Sequence, residues 1–119
     1  MYGGDGSDMF VAFDDGLAVG TVAVRYHCDG TAELKRMYVR SAARGRGIAD
    51  LLAERAVAAA GERGCRSIWL ETLRGVMDPA ISVYRRHGFV PSRRGGTLSV
   101  GGIVVMERRL DDAREDEWP

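Results

Sequence analysis

The sequence contains few cysteines, one lysine and no long apolar run. Its two cysteines, Cys28 and Cys65, are too few for a disulfide framework or a zinc site built on several thiolates. The longest apolar runs, such as residues 56–60, are far shorter than the roughly 20 residues that a transmembrane helix needs. The first residues have neither the basic nor the apolar region of a signal peptide. We therefore expect a cytoplasmic protein with no membrane segment and no bound metal.

The formal net charge is zero, because 17 basic residues balance 17 acidic ones. The charges are unevenly placed: residues 1–19 carry four acids and no base, and residues 107–119 carry six acids and three arginines. The stretch 20–106 then holds 14 bases and seven acids. Domains that bind nucleic acids are usually basic overall. We therefore expect a local anion site in the central stretch and no nucleic-acid partner.

The length of 119 residues supports one domain, 1–119, in which residues 111–119 form an acidic tail. Apolar and β-branched residues between turn signals predict strands. The predicted strands are Met9–Phe13, Leu17–Tyr26, Thr31–Val39, Ser67–Thr72 and Ile103–Leu110, with a further strand region that begins at Phe89 and is interrupted by glycine pairs at 95–96 and 101–102.

Two helices are predicted between these strands, over 45–60 and over 78–88. The first is expected to end at Gly61 and Gly64, and the second to begin with Asp78-Pro79 as its cap and first turn. The predicted buried face of the first helix consists of Ile48, Leu51, Leu52, Ala56, Ala59 and Ala60. The order β-β-β-α-β-α-β-β predicts an α/β fold of the α+β sandwich type, with a mixed, mostly antiparallel central sheet and two main helices packed on it.

The most informative residues, 39–49, lie between the third strand and the first helix. A glycine-rich turn there exposes backbone N–H groups at a helix N-terminus, where partial positive charge favours a phosphate. Gly45 and Gly47 let an anion approach the backbone, and Arg44 and Arg46 add charge-assisted hydrogen bonds. The turn is neither a Walker A sequence nor a complete Gly-x-Gly-x-x-Gly fingerprint. An ordinary solvated loop is the alternative.

These residues resemble the GNAT superfamily of N-acetyltransferases. That family's signature, Gln/Arg-x-x-Gly-x-Gly/Ala, is matched by residues 44–49, Arg-Gly-Arg-Gly-Ile-Ala, and residues 33–40 look like the family's fourth strand. Residues 84–89, Tyr-Arg-Arg-His-Gly-Phe, match a second family element, Tyr-x-x-x-Gly-Phe. The matches follow one another in the family's order from about residue 9 to residue 110.

The resemblance implies an N-acetyltransferase that moves an acetyl group from acetyl-CoA directly to a primary amine of a small molecule or a protein. In the family, acetyl-CoA lies in a V-shaped opening between the fourth and fifth strands. Its pyrophosphate sits on the glycine-rich turn, and its pantetheine arm follows the fourth strand. The cofactor-binding residues implied here are Met37, Tyr38, Val39, Arg44, Gly45, Arg46, Gly47, Ile48 and Ala49.

Glu33 is implied as the catalytic base, because some members of the family carry at this position the carboxylate that takes a proton from the amine. It stands six residues before Val39, so the two-residue period of a strand predicts that both share one face. The alternative is a surface carboxylate paired with a neighbouring arginine. Glu71, at the end of the next strand, is a reserve base.

Tyr84 matches the family position whose hydroxyl donates a proton to the departing sulfur. The alternative is a tyrosine packed under the sheet. Arg85 and Arg86 are candidates for the 3′-phosphate of CoA, or else they form a solvated helix face. Packing or helix-dipole roles are predicted for His87, His27-Cys28 and Trp69.

The chain departs from the family pattern at its beginning. Members usually open with a strand and a helical pair that shape the acceptor side, whereas the first predicted strand here begins at Met9. We therefore expect a bared sheet edge and a homodimer that covers it. Met77 also stands where many members carry an asparagine that contacts the pantetheine. The alternatives to an enzyme are a non-catalytic acyl-CoA-binding module and a general phosphate-binding domain.

Overall fold

The computed structural model describes residues 6–73, 78–92 and 103–111. These residues form strands and α-helices in the predicted order, so the predicted arrangement is confirmed. The strands are β1 (Ser7–Asp14), β2 (Leu17–Tyr26), β3 (Thr31–Val39), β4 (Ser67–Leu73), β5 (Val90–Pro91) and β6 (Ile103–Arg109), and the helices are α1 (Ile48–Glu62) and α2 (Asp78–Arg86). Met77, the glycine pairs at 95–96 and 101–102, and most of the acidic tail lie outside the described residues.

The strands form one mixed sheet in the order β1-β2-β3-β4-β6-β5. Neighbouring strands are antiparallel except β3 and β4, which run parallel. Parallel neighbours need a crossover connection, and α1 supplies it by crossing from the end of β3 to the start of β4. The glycine-rich turn therefore lies at the end of β3, next to the parallel pair.

The core lies between α1 and the face of the sheet that α1 covers. Its members alternate along the strands and recur at helical spacing in α1. They include Val22, Val24, Tyr26, Leu34, Leu52, Ala56, Ile68, Leu70, Phe89 and Met106. The prediction for Leu51 is wrong, because Leu51 is 62% exposed, whereas Ala53 is fully buried. At Gly20 the helix comes so close that a Cβ would stand 3.0 Å from Leu52 Cδ1.

Helix α1 begins three residues later than predicted. Gly45 and Gly47 adopt φ values of +80° and +83°, which lie in the left-handed region and are incompatible with a right-handed helix. At the other end Gly61 is part of the helix, and the chain leaves it at Gly64 with φ +77°. There the Cys65 amide donates to the Ala60 carbonyl and the Gly64 amide to the Gly61 carbonyl, which is a Schellman motif.

Strand β3 contains one extra residue. Thr21 pairs with Tyr38 but Ala23 pairs with Lys35, so that Arg36 and Met37 together oppose Val22. Arg36 has φ +57°, in the left-handed region. Such a bulge bends the strand and increases its twist.

The bulge also reverses the alternation of side chains along β3. Before it, Glu33 lies on the face away from α1, in register with the exposed Arg25. After it, Val39 is buried under α1. The prediction that Glu33 and Val39 share a face is therefore wrong, because the two-residue period does not hold across the extra residue.

Strands β3 and β4 separate immediately before the bulge. Their register covers only Thr31 to Glu33 against Ser67 to Trp69. Beyond it, within the described part of the chain, no strand pairs with residues 34–39 on the β4 side. The sheet therefore contains a wedge-shaped opening with β3 on one side, β4 on the other and the glycine-rich turn at its wide end.

The strain at Arg36 predicts an unusual response to glycine. A non-glycine residue in the left-handed region costs roughly 1–2 kcal/mol, and glycine avoids this cost. We expect Arg36→Gly to raise the free energy of unfolding by about 0.5–1 kcal/mol in urea denaturation. Arg25→Gly, at an exposed position of β2, is the matched control and should lower it by about 0.5–1 kcal/mol. Equal destabilisation by both substitutions would show that β3 runs without the bulge.

Candidate active site

The turn between β3 and α1 presents backbone donors. Gly47 is the N-cap of α1 and makes no side-chain capping hydrogen bond. The Leu51 amide donates to the Gly47 carbonyl, so the N–H groups of residues 48–50 precede the first helical hydrogen bond. A Cβ placed on Gly45 or Gly47 would meet no atom within 4 Å apart from the chain neighbours. Open space in front of unpaired donors and the positive end of the helix dipole makes this turn suited to an anion.

Arg44 and Arg46 flank the turn and differ in their partners. The Arg44 Nε donates to the Val39 carbonyl at 3.0 Å, and its guanidinium carbon lies 6.0 Å from the centre of the Tyr38 ring. The Arg46 Nη2 lies 2.8 Å from Oδ2 of Asp14, at the end of β1. Sequence reasoning missed Asp14, because only folding of the β1–β2 hairpin brings it beside the turn.

The other predicted cofactor residues differ in how far their side chains are exposed. Met37 packs against the core, Val39 and Ile48 are buried in it, and Ala49 is half-buried. Tyr38, in contrast, is 55% exposed on the opposite face. The structure therefore places all of these residues along β3 or at the start of α1, with Tyr38 presenting a side chain to solvent.

Thr72 lies on β4 beyond the point where pairing with β3 ends. Thr72 is 8% exposed, and its Oγ1 has no hydrogen-bond partner in the part of the chain that the structure describes. A buried hydroxyl without a partner costs stability. The position of this hydroxyl beside the opening fits a ligand that carries polar atoms.

Tyr84 of α2 belongs to the buried core. Its ring centre lies 5.8 Å from that of Phe89, with the planes tilted by 59°. Burial raises the pKa of the Tyr84 hydroxyl to about 12, so the hydroxyl keeps its proton at neutral pH. Tyr84 is therefore packed in the core, as the alternative interpretation predicted. Its hydroxyl still carries a proton that it can donate.

Glu33 occupies the last position of β3 that pairs with β4 and is largely buried, with 13% of its side chain exposed. Its Oε1 lies 3.0 Å from His27 Nε2, and its Oε2 lies 3.8 Å from Lys35 Nζ. The partners of Glu33 are therefore a histidine and a lysine. The alternative, a surface carboxylate, had predicted an arginine as the partner. Sequence reasoning missed His27, which it assigned to local packing.

A second ion cluster joins the two helices. Asp50, in the first turn of α1, accepts hydrogen bonds from Arg86 Nε at 3.2 Å and Arg86 Nη2 at 3.0 Å. Its Oδ1 also lies 2.8 Å from His87 Nε2. Arg86 first, and then His87, hold the pKa of Asp50 below its usual range. Of the two candidates for the 3′-phosphate, Arg86 is therefore bound to a carboxylate, and Arg85 is exposed.

The remaining features contribute no further group that the structure brings to the glycine-rich turn. Glu71, the reserve base, is exposed at the end of β4. A recess of about 400 Å³ lies between β5 and β6, and its lining contains none of the predicted site residues. Within residues 6–73, 78–92 and 103–111, no group of three or more His, Cys, Asp or Glu side chains is arranged to hold a metal. No helix in the described ranges is long and apolar enough to cross a membrane.

Comparison with known proteins gives the same family from sequence and from structure. Residues 5–91 match the family described as acetyltransferase (GNAT) domain. An uncharacterised N-acetyltransferase of Schizosaccharomyces pombe is 37% identical over 111 residues, which are 92% of this chain and 68% of that protein. A proposed acyl-CoA N-acyltransferase from Klebsiella pneumoniae superimposes with a TM-score of 0.80 at 27% identity, over 87% of this chain and 72% of that one.

A further solved structure carries the ligand that the glycine-rich turn suggests. The PaiA N-acetyltransferase from Thermoplasma acidophilum, solved in complex with coenzyme A, superimposes with a TM-score of 0.74 at 21% identity. The match covers 87% of this chain and 61% of that one. At this identity the comparison shows a common fold.

Two glycines with the same backbone conformation allow the anion site to be tested. Gly47 and Gly64, near opposite ends of α1, have φ values of +83° and +77° and equally open surroundings. Valine at either position incurs the same strain, but only valine at 47 blocks the backbone donors. We expect Gly47→Val to weaken acetyl-CoA binding by about 100-fold or more in calorimetry, equivalent to two charge-assisted hydrogen bonds.

Gly64→Val should bind acetyl-CoA as tightly as the wild type does. Circular dichroism serves as the control that both variants are folded. Equal affinities of the two variants would place the phosphates elsewhere.

Proposed function

The chain belongs to the GNAT family of acetyltransferases and is an acetyl-CoA-dependent N-acetyltransferase, and on that basis we propose that it transfers the acetyl group directly to a primary amine, with Glu33 as the base and Tyr84 as the acid. The observation that carries the proposal is the opening between β3 and β4, which ends at the glycine-rich turn. The acceptor class is an amine of a small molecule or of a protein.

The described residues suit acetyl-CoA at the glycine-rich turn and along the opening. The donors of residues 47–50 and the arginines at 44 and 46 suit the pyrophosphate. On the β4 side, the backbone of residues 37–39 pairs with no strand in the described ranges and suits the amide groups of the pantetheine arm. The hydroxyl of Thr72 offers a further polar contact there. Bound acetyl-CoA supplies a thioester, whose C–S bond breaks as the C–N bond to the amine forms.

Glu33 is proposed to make the amine nucleophilic. An alkyl amine, with a pKa near ~10.4, is mostly protonated at neutral pH and has no free lone pair. The Glu33 carboxylate takes one proton from this ammonium group, directly or through a water molecule, and later releases it to solvent. After attack, the nitrogen loses a second proton to solvent.

Tyr84 is proposed to supply the proton that the sulfur gains. Its hydroxyl is protonated at neutral pH, as a tyrosine of ordinary pKa (about 10) also is, and burial raises this pKa to about 12. After donation, Tyr84 recovers a proton from solvent. The sum of these transfers is one amide, one thiol and one proton released for each ammonium ion consumed.

The predicted homodimer stays a prediction, and one feature supports it. Met9, Val11 and Phe13 are exposed along β1, the edge strand, and lie on the face that α1 does not cover. Apolar side chains on an open strand edge favour contact with another chain.

Thiol release from acetyl-CoA over a panel of primary amines tests the proposed function. We expect Glu33→Gln to lower kcat/KM for the amine by about 100-fold at pH 7, with less loss at high pH, where more of the amine is already neutral. Tyr84→Phe should lower kcat by about tenfold or more at an unchanged Kd for acetyl-CoA.

The matched control is Glu71→Gln, which removes the exposed carboxylate on β4 and should leave turnover unchanged. A large loss in Glu71→Gln and none in Glu33→Gln would move the base to β4. Binding of acetyl-CoA without turnover of any amine would favour the non-catalytic module.

A further inference from the structure

His27 lies in the turn between β2 and β3 and is fixed by contacts on two sides. Its backbone amide donates to the Thr31 carbonyl at 2.9 Å. Its ring stacks on the indole of Trp69, with the ring centres 5.6 Å apart and the planes inclined by 24°. The side chain is 30% exposed, so one edge of the ring remains in contact with solvent.

Trp69 is itself held in place. Its indole Nε1 donates to Thr31 Oγ1 at 3.2 Å, and this hydroxyl donates to Asp29 Oδ1 at 2.7 Å. Thr31 is 1% exposed, so these bonds are shielded from water. Trp69 therefore provides a rigid surface that sets the plane and the height of the imidazole above the sheet.

The imidazole reaches the carboxylate of Glu33 with its Nε2, at 3.0 Å from Oε1. An ionised carboxylate accepts hydrogen bonds only, so Nε2 carries the hydrogen and donates it. Lys35 Nζ lies on the other side of the carboxylate, 3.8 Å from Oε2, which is longer than a hydrogen bond. One oxygen of Glu33 is therefore firmly held and the other is available.

We propose that His27 is a positioning residue that holds Glu33 Oε1, so that Oε2 faces the amine acceptor. This inference rests on the proposed role of Glu33 as the base. Neither the family signature nor the motifs in the sequence involve His27. A flexible glutamate loses rotamer freedom when it acts at one fixed point, and the hydrogen bond to a stacked imidazole removes this freedom before the substrate binds.

The variants that test this role separate the hydrogen bond from the stacking. His27→Phe keeps an aromatic ring against Trp69 and removes the donor. His27→Gln places an amide donor at the same reach and removes the ring. Cys28→Ser changes the neighbouring exposed side chain in the same turn and serves as the control.

We expect His27→Phe to lower kcat by about tenfold, measured with the amine that the wild type acetylates fastest. This factor corresponds to the loss of one charge-assisted hydrogen bond. The KM for acetyl-CoA should not change. His27→Gln should recover most of the loss, and Cys28→Ser should show none. Equal losses in His27→Phe and His27→Gln would overturn the proposal, because the hydrogen bond would then not matter.

The double variant shows whether His27 acts through Glu33. In a Glu33→Gln background, His27→Phe should cause no further loss, because the base that it positions is already gone. An additional tenfold loss in that background would overturn the positioning role. If Glu33→Gln alone costs no activity, the proposed base is wrong; if it costs activity and His27→Phe does not, only the role of His27 is wrong.

A spectroscopic measurement tests the hydrogen bond without an acceptor. Long-range proton–nitrogen spectra of the imidazole at neutral pH should show hydrogen on Nε2 in the wild type, and a mixture of the two tautomers in Glu33→Ala. Hydrogen on Nδ1 and none on Nε2 in the wild type would contradict the geometry on which the proposal depends.

Discussion

At Arg36 the backbone adopts φ +57°, and this residue and Met37 together oppose a single residue, Val22, on the neighbouring strand. The extra residue bends β3, and the pairing of β3 with β4 ends shortly before it, at Glu33. A regular parallel pair would continue past this point and use the backbone groups of residues 34–39 for its own hydrogen bonds. Because it does not, the β4 side of residues 34–39 has no strand partner in the described part of the chain, although the Val39 carbonyl already accepts from Arg44, and the two strands diverge there.

The opening and the start of α1 form one electrostatic unit. Two of the 14 basic residues of the stretch 20–106, Arg44 and Arg46, meet the unpaired N–H groups of the described turn. Two acidic residues hold basic side chains in place: Asp14 holds Arg46, and Asp50 holds Arg86 and His87. At the turn, Arg46 is thus oriented by the carboxylate of Asp14 and Arg44 by the backbone carbonyl of Val39, and Asp14 would compete with an anion for Arg46.

The sequence predicted the strands, the two helices and the turn well, because each depends on short-range spacing. The predicted bounds of β2 and β3 agree with the structure residue for residue. The face shared by Glu33 and Val39 was predicted wrongly because nothing local in Lys35-Arg36-Met37 signals a bulge: an arginine at positive φ is rare, and glycine would have been the expected marker. His27 was missed because its partners, Glu33 and Trp69, lie on two neighbouring strands that only the folded sheet brings beside the turn at His27. Leu51 was misplaced because apolar spacing alone did not separate it from Ala53.

The central claim is that acetyl-CoA occupies the opening beside the bulge. Titration of the isotope-labelled protein with acetyl-CoA, followed by amide chemical shifts in two-dimensional NMR, tests it most directly. The account predicts the largest changes at residues 34–39 of β3 and 45–50 of the turn and α1, with little change at Gly64 or in β1. Changes concentrated instead in the recess between β5 and β6, at Gly88, Ser92 and Arg109, would contradict it.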